Sequence, residues 1–320
     1  MLRITLLSGE ELTSIAVEDV RDVKALKQQL NKMYGLPPRF RQSLLHHGLT
    51  LDDSFNLDLP MDLQVVLTTF AEPSDSHMEQ LIFAAKHGFV SEVEELLLLP
   101  MDPDAVPSFP AGDDRVQHMR TLRLFEPEFS ESTALILAAG MNHPEVVQLL
   151  LEAGAKVNCA NPCGWTALLS ASKGSGAQVV QLLLEAGADV NHVICPFWGV
   201  EDNEFNGCTA LMLAAESGRA QVVQLLLEAR AHMNSANKLG STALMEATRN
   251  GQALIVQMLL EAGARVNSAD GHGSTALKKA KGTRRNQDQI LQTLLEAGAQ
   301  TDLHGGEGYT APDLANNTWT

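Results

Sequence analysis

Basic residues are scarce in this chain: 23 lysines and arginines stand against 39 acidic side chains, leaving a net charge of −16. Most of that excess lies after residue 70. Such a surface repels phosphate backbones and argues against nucleic acid as a general partner. The one basic run, Lys278, Lys279, Lys281, Arg284 and Arg285, fits a nuclear-import patch or, more simply, a solvated helix end whose cations suit the dipole. Cysteine is nearly absent too, with 4 in 320 residues; a disulfide scaffold is excluded and a reducing compartment expected. No apolar run approaches the roughly 18 residues a bilayer crossing needs. Met1–Leu7 meets Glu10 and Glu11 at once, so no secretion signal is read there. The expected location is the cytoplasm, with the nucleus open.

Catalytic patterns are missing as well. There is no phosphate-binding loop, since Lys173-Gly174-Ser175-Gly176 lacks the spacing and the preceding strand. Neither His-Glu-x-x-His nor Gly-x-Ser-x-Gly occurs. Cys159, Cys163, Cys195, Cys208 and His192 fall in connecting loops. Tetrahedral zinc needs four converging ligands, and residues one repeat apart do not converge unless a loop folds back, so these are read as small loop residues. No catalytic residue, metal or cofactor is assigned.

What the chain has in quantity is repetition. Leu-Leu-Glu-Ala-Gly-Ala occurs at 150–155, 183–188, 259–264 and 294–299, with an arginine-containing copy at 226–231. Thr-Ala-Leu starts at Thr133, Thr166, Thr209, Thr242 and Thr275, with a partial echo at Thr310. The intervals of 33, 43, 33, 33 and 35 residues describe one 33-residue unit with insertions, the mark of a stacked-repeat architecture. Each unit reads as two helices. Its threonine caps the first, a Val-Val-x-x-Leu-Leu stripe such as Val146, Val147, Leu150 and Leu151 buries the second, and Gly154, Gly187, Gly263 and Gly298 close it in the left-handed region. Arg230 stands where the glycine is expected.

These residues resemble the ankyrin family, with its 33-residue Thr-Pro-Leu-His-x-Ala and Leu-Leu-x-x-Gly-Ala unit. The likeness spans residues 78–320, as about six repeats with a short C-terminal cap at Thr310–Ala315. Glu79–Asp104 is the divergent first unit, and insertions lie near 106–131 and 193–206. The resemblance implies an all-α solenoid with hairpin loops. It also implies protein partners held at hairpin tips and on the first-helix face. The matching tip positions are Cys163, Trp165, Asn206, Lys238, Leu239 and His272, and the helix-face positions Met141, Lys173, Glu216 and Arg249. Phe197 and Trp198 in the second insertion are either binding anchors or a small core for that loop.

Residues 1–70 lack this period. Ile4 and Leu6, then Ile15 and Val17, alternate around Ser8-Gly9 as a hairpin; Val23, Leu26, Lys27 and Leu30 follow at helical spacing up to Gly35-Leu36-Pro37-Pro38; Ser43–Leu45 and Leu63–Leu67 complete a mixed sheet. The order resembles ubiquitin, implying an α+β β-grasp domain. Its recognition patch would be Leu7, Leu45 and Val66, docking a ubiquitin- or proteasome-pathway protein or packing on the repeats. Leu67 runs into Thr68-Thr69-Phe70 without the conjugating diglycine. Residues 71–77 are read as a linker. The expected function is therefore a non-catalytic protein-interaction scaffold or adaptor.

Overall fold

A computed structural model describes residues 1–69, 75–99, 101–106, 132–174, 176–195, 205–282 and 286–300. The chain divides into two compact units. The first comprises Met1–Phe109, Thr133–Leu135 and Glu145–Lys156; the second comprises Pro110–Ser132, Ile136–Pro144 and Val157–Thr320. Elements of the first two repeats thus group with the N-terminal sheet.

In the first unit, β1 (Leu2–Leu6), β2 (Glu11–Ile15), β3 (Gln42–His46), β4 (Leu49–Thr50) and β5 (Met61–Leu67) form one sheet in the order β2-β1-β5-β3-β4. β1 and β5 run parallel and the other neighbours antiparallel. Helix α1 (Val23–Tyr34) starts at Asp22, whose carboxylate accepts the Ala25 N–H at 2.8 Å, and stops at Gly35 in the left-handed region. Its Val23, Leu26 and Leu30 meet Leu2, Ile4, Leu44, Leu63 and Val65 from the inner sheet face. Alternation along each strand decides which face is buried. A five-stranded mixed sheet carrying one helix is compatible with a β-grasp. The short β4 had no apolar run to announce it. Two repeat helices follow, α2 (Asp75–His87) and α3 (Val90–Leu97); α2 begins inside the stretch expected to be linker.

Helices α4 (Ala134–Gly140) and α5 (Pro144–Glu152) come next in the chain. The expected stripe on α5 is buried at Val146, Val147 and Leu150, with Leu151 half-buried. Four helix pairs then build the second unit: α6 (Ala167–Gly174) and α7 (Ala177–Glu185), α8 (Ala210–Glu216) and α9 (Ala220–Glu228), α10 (Ala243–Arg249) and α11 (Ala253–Glu261), α12 (Ala276–Ala280) and α13 (Gln287–Glu296). First helices pack on first helices, α6 on α8 on α10 on α12, while second helices form a parallel row, α7 on α9 on α11 on α13. The hydroxyls of Thr166, Thr209, Thr242 and Thr275 accept the N–H three residues on, each at 3.4 Å. Small residues make the first row close: Ala210, Ala214 and Ala215 are buried together with Leu211, Met212 and Leu213. The second helices α7, α9 and α11 bury matching trios, such as Val222, Val223 and Leu226 on α9, and α13 buries Ile290 and Leu294, each side chain worth about 1.5–3 kcal/mol before entropy is counted. Among the described residues no helix is long and apolar enough to cross a membrane. The echo at Thr310–Ala315 and most of the 106–131 insertion lie outside the described residues.

Candidate functional site: hairpin tips, helix face and sheet patch

Between one helix pair and the next, the chain of the second unit makes a hairpin with a repeated internal design. In three of them one side-chain oxygen organises the turn. Asn161 Oδ1 accepts the N–H groups of Cys163 and Trp165 at 3.0 and 2.9 Å. Asn237 Oδ1 does the same for Leu239 and Ser241 at 3.0 and 2.9 Å, and Asp270 Oδ1 for His272 and Ser274 at 3.0 and 2.8 Å. Each such residue also pairs main chain to main chain with the residue four further on, between 2.9 and 3.0 Å. Successive tips are joined: Lys238 N–H donates to the Asn206 carbonyl at 3.0 Å, and Gly271 N–H to the Leu239 carbonyl at 2.8 Å. That approach requires glycine at Gly240, where φ is +75° and a Cβ would come within 2.8 Å of the Gly271 nitrogen.

A second ladder ties repeat to repeat. The side-chain oxygens of Asn158, Asn191, Asn234 and Asn267 accept the N–H groups of Asp189, His232, Arg265 and Gln300 at 2.7–2.9 Å. Neither set of residues was foreseen from the sequence. Both recur as polar side chains in the repeat register, a signal separate from the apolar stripes and caps.

On this frame Lys238, Leu239 and His272 are exposed, Leu239 at 54%. Cys163 and Asn206 are half-buried. Trp165, expected at a tip, is 0% exposed. Its ring meets Phe205 edge-on with centroids 5.4 Å apart, and its indole nitrogen has no hydrogen-bond partner among the described residues. The apolar ring is therefore core, and its position is withdrawn from the contact surface. The Lys173 ammonium sits 4.8 Å from the Phe205 ring centroid and 5.5 Å from that of Trp165, within cation–π range. Phe197 and Trp198 lie outside the described residues.

Along the first helices, Lys173, Glu216 and Arg249 occupy the seventh residue of α6, α8 and α10. The same position of α4 is Gly140, so the expected Met141 is one residue out of this row, although it is exposed. Arg249 Nη2 reaches Glu246 Oε2 at 2.6 Å and Glu216 Oε1 at 3.6 Å. The row carries both signs of charge.

Burial and bonding tune two groups nearby. Burial pushes the Cys208 thiol up to about 11, against a hydrogen bond from Asn237. Burial alone would raise the Asp270 carboxyl, but Lys279 at 2.8 Å and the N–H groups of Ser274 and His272 hold it below the ordinary carboxylate value. Among the described residues no group of three or more His, Cys, Asp or Glu is placed to hold a metal ion.

In the first unit, Leu45 and Val66 point to the outer sheet face, opposite buried Leu44 and Val65. Leu45 lies across from Gln64, and Val66 across from Ser43. Both are half-buried, while Leu7 just beyond β1 is 63% exposed.

A family model described as ankyrin repeats (3 copies) matches residues 81–194 and 196–270. Among solved structures, an ankyrin repeat domain from Acinetobacter baumannii AYE is similar at 30% identity with a TM-score of 0.54, over 69% of this chain and 98% of that one. No curated protein matches.

Proposed function

This chain belongs to the ankyrin-repeat family, and from that premise we propose that it is a non-catalytic scaffold or adaptor. Its repeats grip a protein partner through the tips Lys238, Leu239 and His272 and the helix-face residues Lys173, Glu216 and Arg249. Ankyrin repeats generally mediate protein–protein interaction. The observation that carries the reading is the split between constant and variable positions. Buried stripes, threonine caps and asparagine ladders repeat from unit to unit, whereas the exposed tip and helix-face residues differ in size and charge. A surface that varies on a frame that does not is how one scaffold acquires a specific partner. The proposal includes a cytoplasmic or nuclear location.

Photo-crosslinking in cells tests it. A crosslinking side chain at Leu239 or Arg249 is expected to trap discrete protein adducts, and one at Glu228, at the end of a second helix, few or none. Adducts concentrated at Glu228 would sink the proposal.

A second reading rests on the exposure of Leu7 beside Leu45 and Val66. If the β-grasp is ubiquitin-like, this patch docks a ubiquitin- or proteasome-pathway protein. Titrating the full chain with a ubiquitin-interacting helix should shift the amide signals of Leu45 and Val66; unshifted signals at saturating peptide remove that reading.

A further inference from the structure

Among the described residues the most deeply buried charged side chain is that of Arg39, between α1 and β3. Its side chain is 1% exposed, yet its three nitrogens each donate to a different carboxylate. Nη1 meets Asp53 Oδ2 at 2.7 Å, inside the β-grasp. Nη2 meets Glu94 Oε1 on α3 at 2.9 Å, and Nε meets Glu152 Oε2 at the end of α5 at 2.9 Å. The other oxygen of Asp53 accepts the Lys27 ammonium at 2.6 Å, and Lys24 lies 3.9 Å from Glu94. The Phe40 ring lies 3.8 Å from the guanidinium carbon.

Three cations thus face three carboxylates. A guanidinium so far from water persists only when its charge is matched and its donors are filled, and two of its three matches come from repeat helices. The planar fork fixes the direction of each bond, as an ammonium does not. Burial alone would lower the pKa of Arg39, but the hydrogen bonds it donates to Glu94 and Glu152 carry it above the ordinary value; the charge is held in place.

A second observation lies along the same seam. Gly154, just after α5, has φ of +88°, and a Cβ there would come within 2.8 Å of Pro38 Cγ. Its counterparts Gly187, Gly263 and Gly298 have nothing within 4 Å of the equivalent point. Their glycine serves the turn alone. At Gly154 it also admits the residue preceding Arg39.

We infer that Pro38 and Arg39 form an intrachain docking surface whose occupant is α3 and the end of α5, so that the β-grasp caps these two helices and unfolds with them. The sheet patch at Leu7, Leu45 and Val66 takes no part in this seam. The inference is independent of which partner the repeats bind.

Hydrogen exchange by mass spectrometry on the full chain tests it. In the wild type, peptides from β1, β3, β5, α3 and α5 are expected to exchange with one common urea dependence. Glu94→Gln combined with Glu152→Gln leaves every β-grasp residue intact, and it should speed exchange in the β-grasp strands by about tenfold or more. Exchange in α9 and α11 should stay as it was. Gly154→Ala should likewise expose the β-grasp strands, and Gly187→Ala, equally strained in its turn, should not. That glycine pair decides the matter if the double variant fails to fold. The inference is overturned if β-grasp protection is unchanged in the seam variants, or if only α3 and α5 lose protection.

Discussion

Arg230 carries a side chain where Gly154, Gly187, Gly263 and Gly298 close their repeats in the left-handed region, and its replacement by glycine gives a measurable test of the repeat geometry. The residue follows α9 with φ of +63°, where Gly187 and Gly263 have +85° and +96°. Its N–H bonds to the Leu227 carbonyl at 3.0 Å, and the Ala231 N–H to the Leu226 carbonyl at 2.9 Å. The equivalent bonds at Gly187 and Ala188 measure 3.0 and 2.9 Å. The cap is thus formed in full, with a Cβ in the left-handed region at a cost of about 1–2 kcal/mol. Glycine removes that cost and returns about 0.4–1 kcal/mol through its freedom in the unfolded chain. The exposed guanidinium also favours the helix C-terminus by a few tenths of a kcal/mol, which the variant forfeits. The sum is a stabilisation of about 0.5 kcal/mol. With a urea slope of about 1–3 kcal/mol/M, the midpoint should rise by about 0.2–0.5 M. Arg230→Ala keeps the Cβ and should gain nothing. A lower midpoint for Arg230→Gly at unchanged slope would refute the cap geometry.

Other consequences are as direct. Asn237→Ala strips the buried Ser241 N–H and the partly buried Leu239 N–H of their acceptor and should cost about 2 kcal/mol, whereas Asn237→Asp should retain most stability because Asp270 fills the same role in the next repeat; equal losses in thermal melts would contradict this. Cys195 is exposed and Cys208 buried with its thiol near 11, so iodoacetamide at pH 8 should label the first within minutes and the second only as fast as the chain opens; rapid labelling of Cys208 counts against the packing. The folded pKa of Asp270 is depressed, so its contribution is present above the unfolded carboxylate value near 3.9 and lost as pH falls through the lower folded value. Asp270→Asn should therefore be less stable than wild type by about 1 kcal/mol at pH 7, and the difference should shrink as pH falls through the folded value, read from chemical melts across the acid range; a constant difference would mean that the Lys279 pair contributes nothing.

The features of the fold legible in the sequence are those that recur. Thr166, Thr209, Thr242 and Thr275 cap helices because a β-region threonine before an apolar run has an N–H within reach. Repetition at one interval separates that signal from chance. Alternation marked the first hairpin of the N-terminal sheet and short apolar runs marked β3 and β5, whereas the two residues of β4 are too few to show either. Met141 stands one residue beyond the row because Gly140 is the seventh residue of α4. Trp165 is buried because a tip position is exposed only when nothing covers it, and the Phe205 ring packs on it. Arg39 had no local signal at all. Asp53 lies 14 residues further on and its two helix partners 55 and 113, and whether an arginine is solvated or buried is decided by such contacts.

The tip design also explains how contact residues vary without cost to the frame. Each organising oxygen bonds to backbone N–H groups, and the hairpin closes through main-chain pairs at Asn161–Trp165, Asn237–Ser241 and Asp270–Ser274. No bond in this set uses the side chain of Cys163, Leu239 or His272, which share one place in the three turns. What the turn does demand is glycine one residue later, where Gly164, Gly240 and Gly273 all have positive φ. The chemical identity of the tip is therefore decoupled from its geometry: a thiol, an aliphatic chain and an imidazole stand on the same backbone. Stability selects the asparagine or aspartate and the glycine, and the residue just before the glycine varies from turn to turn.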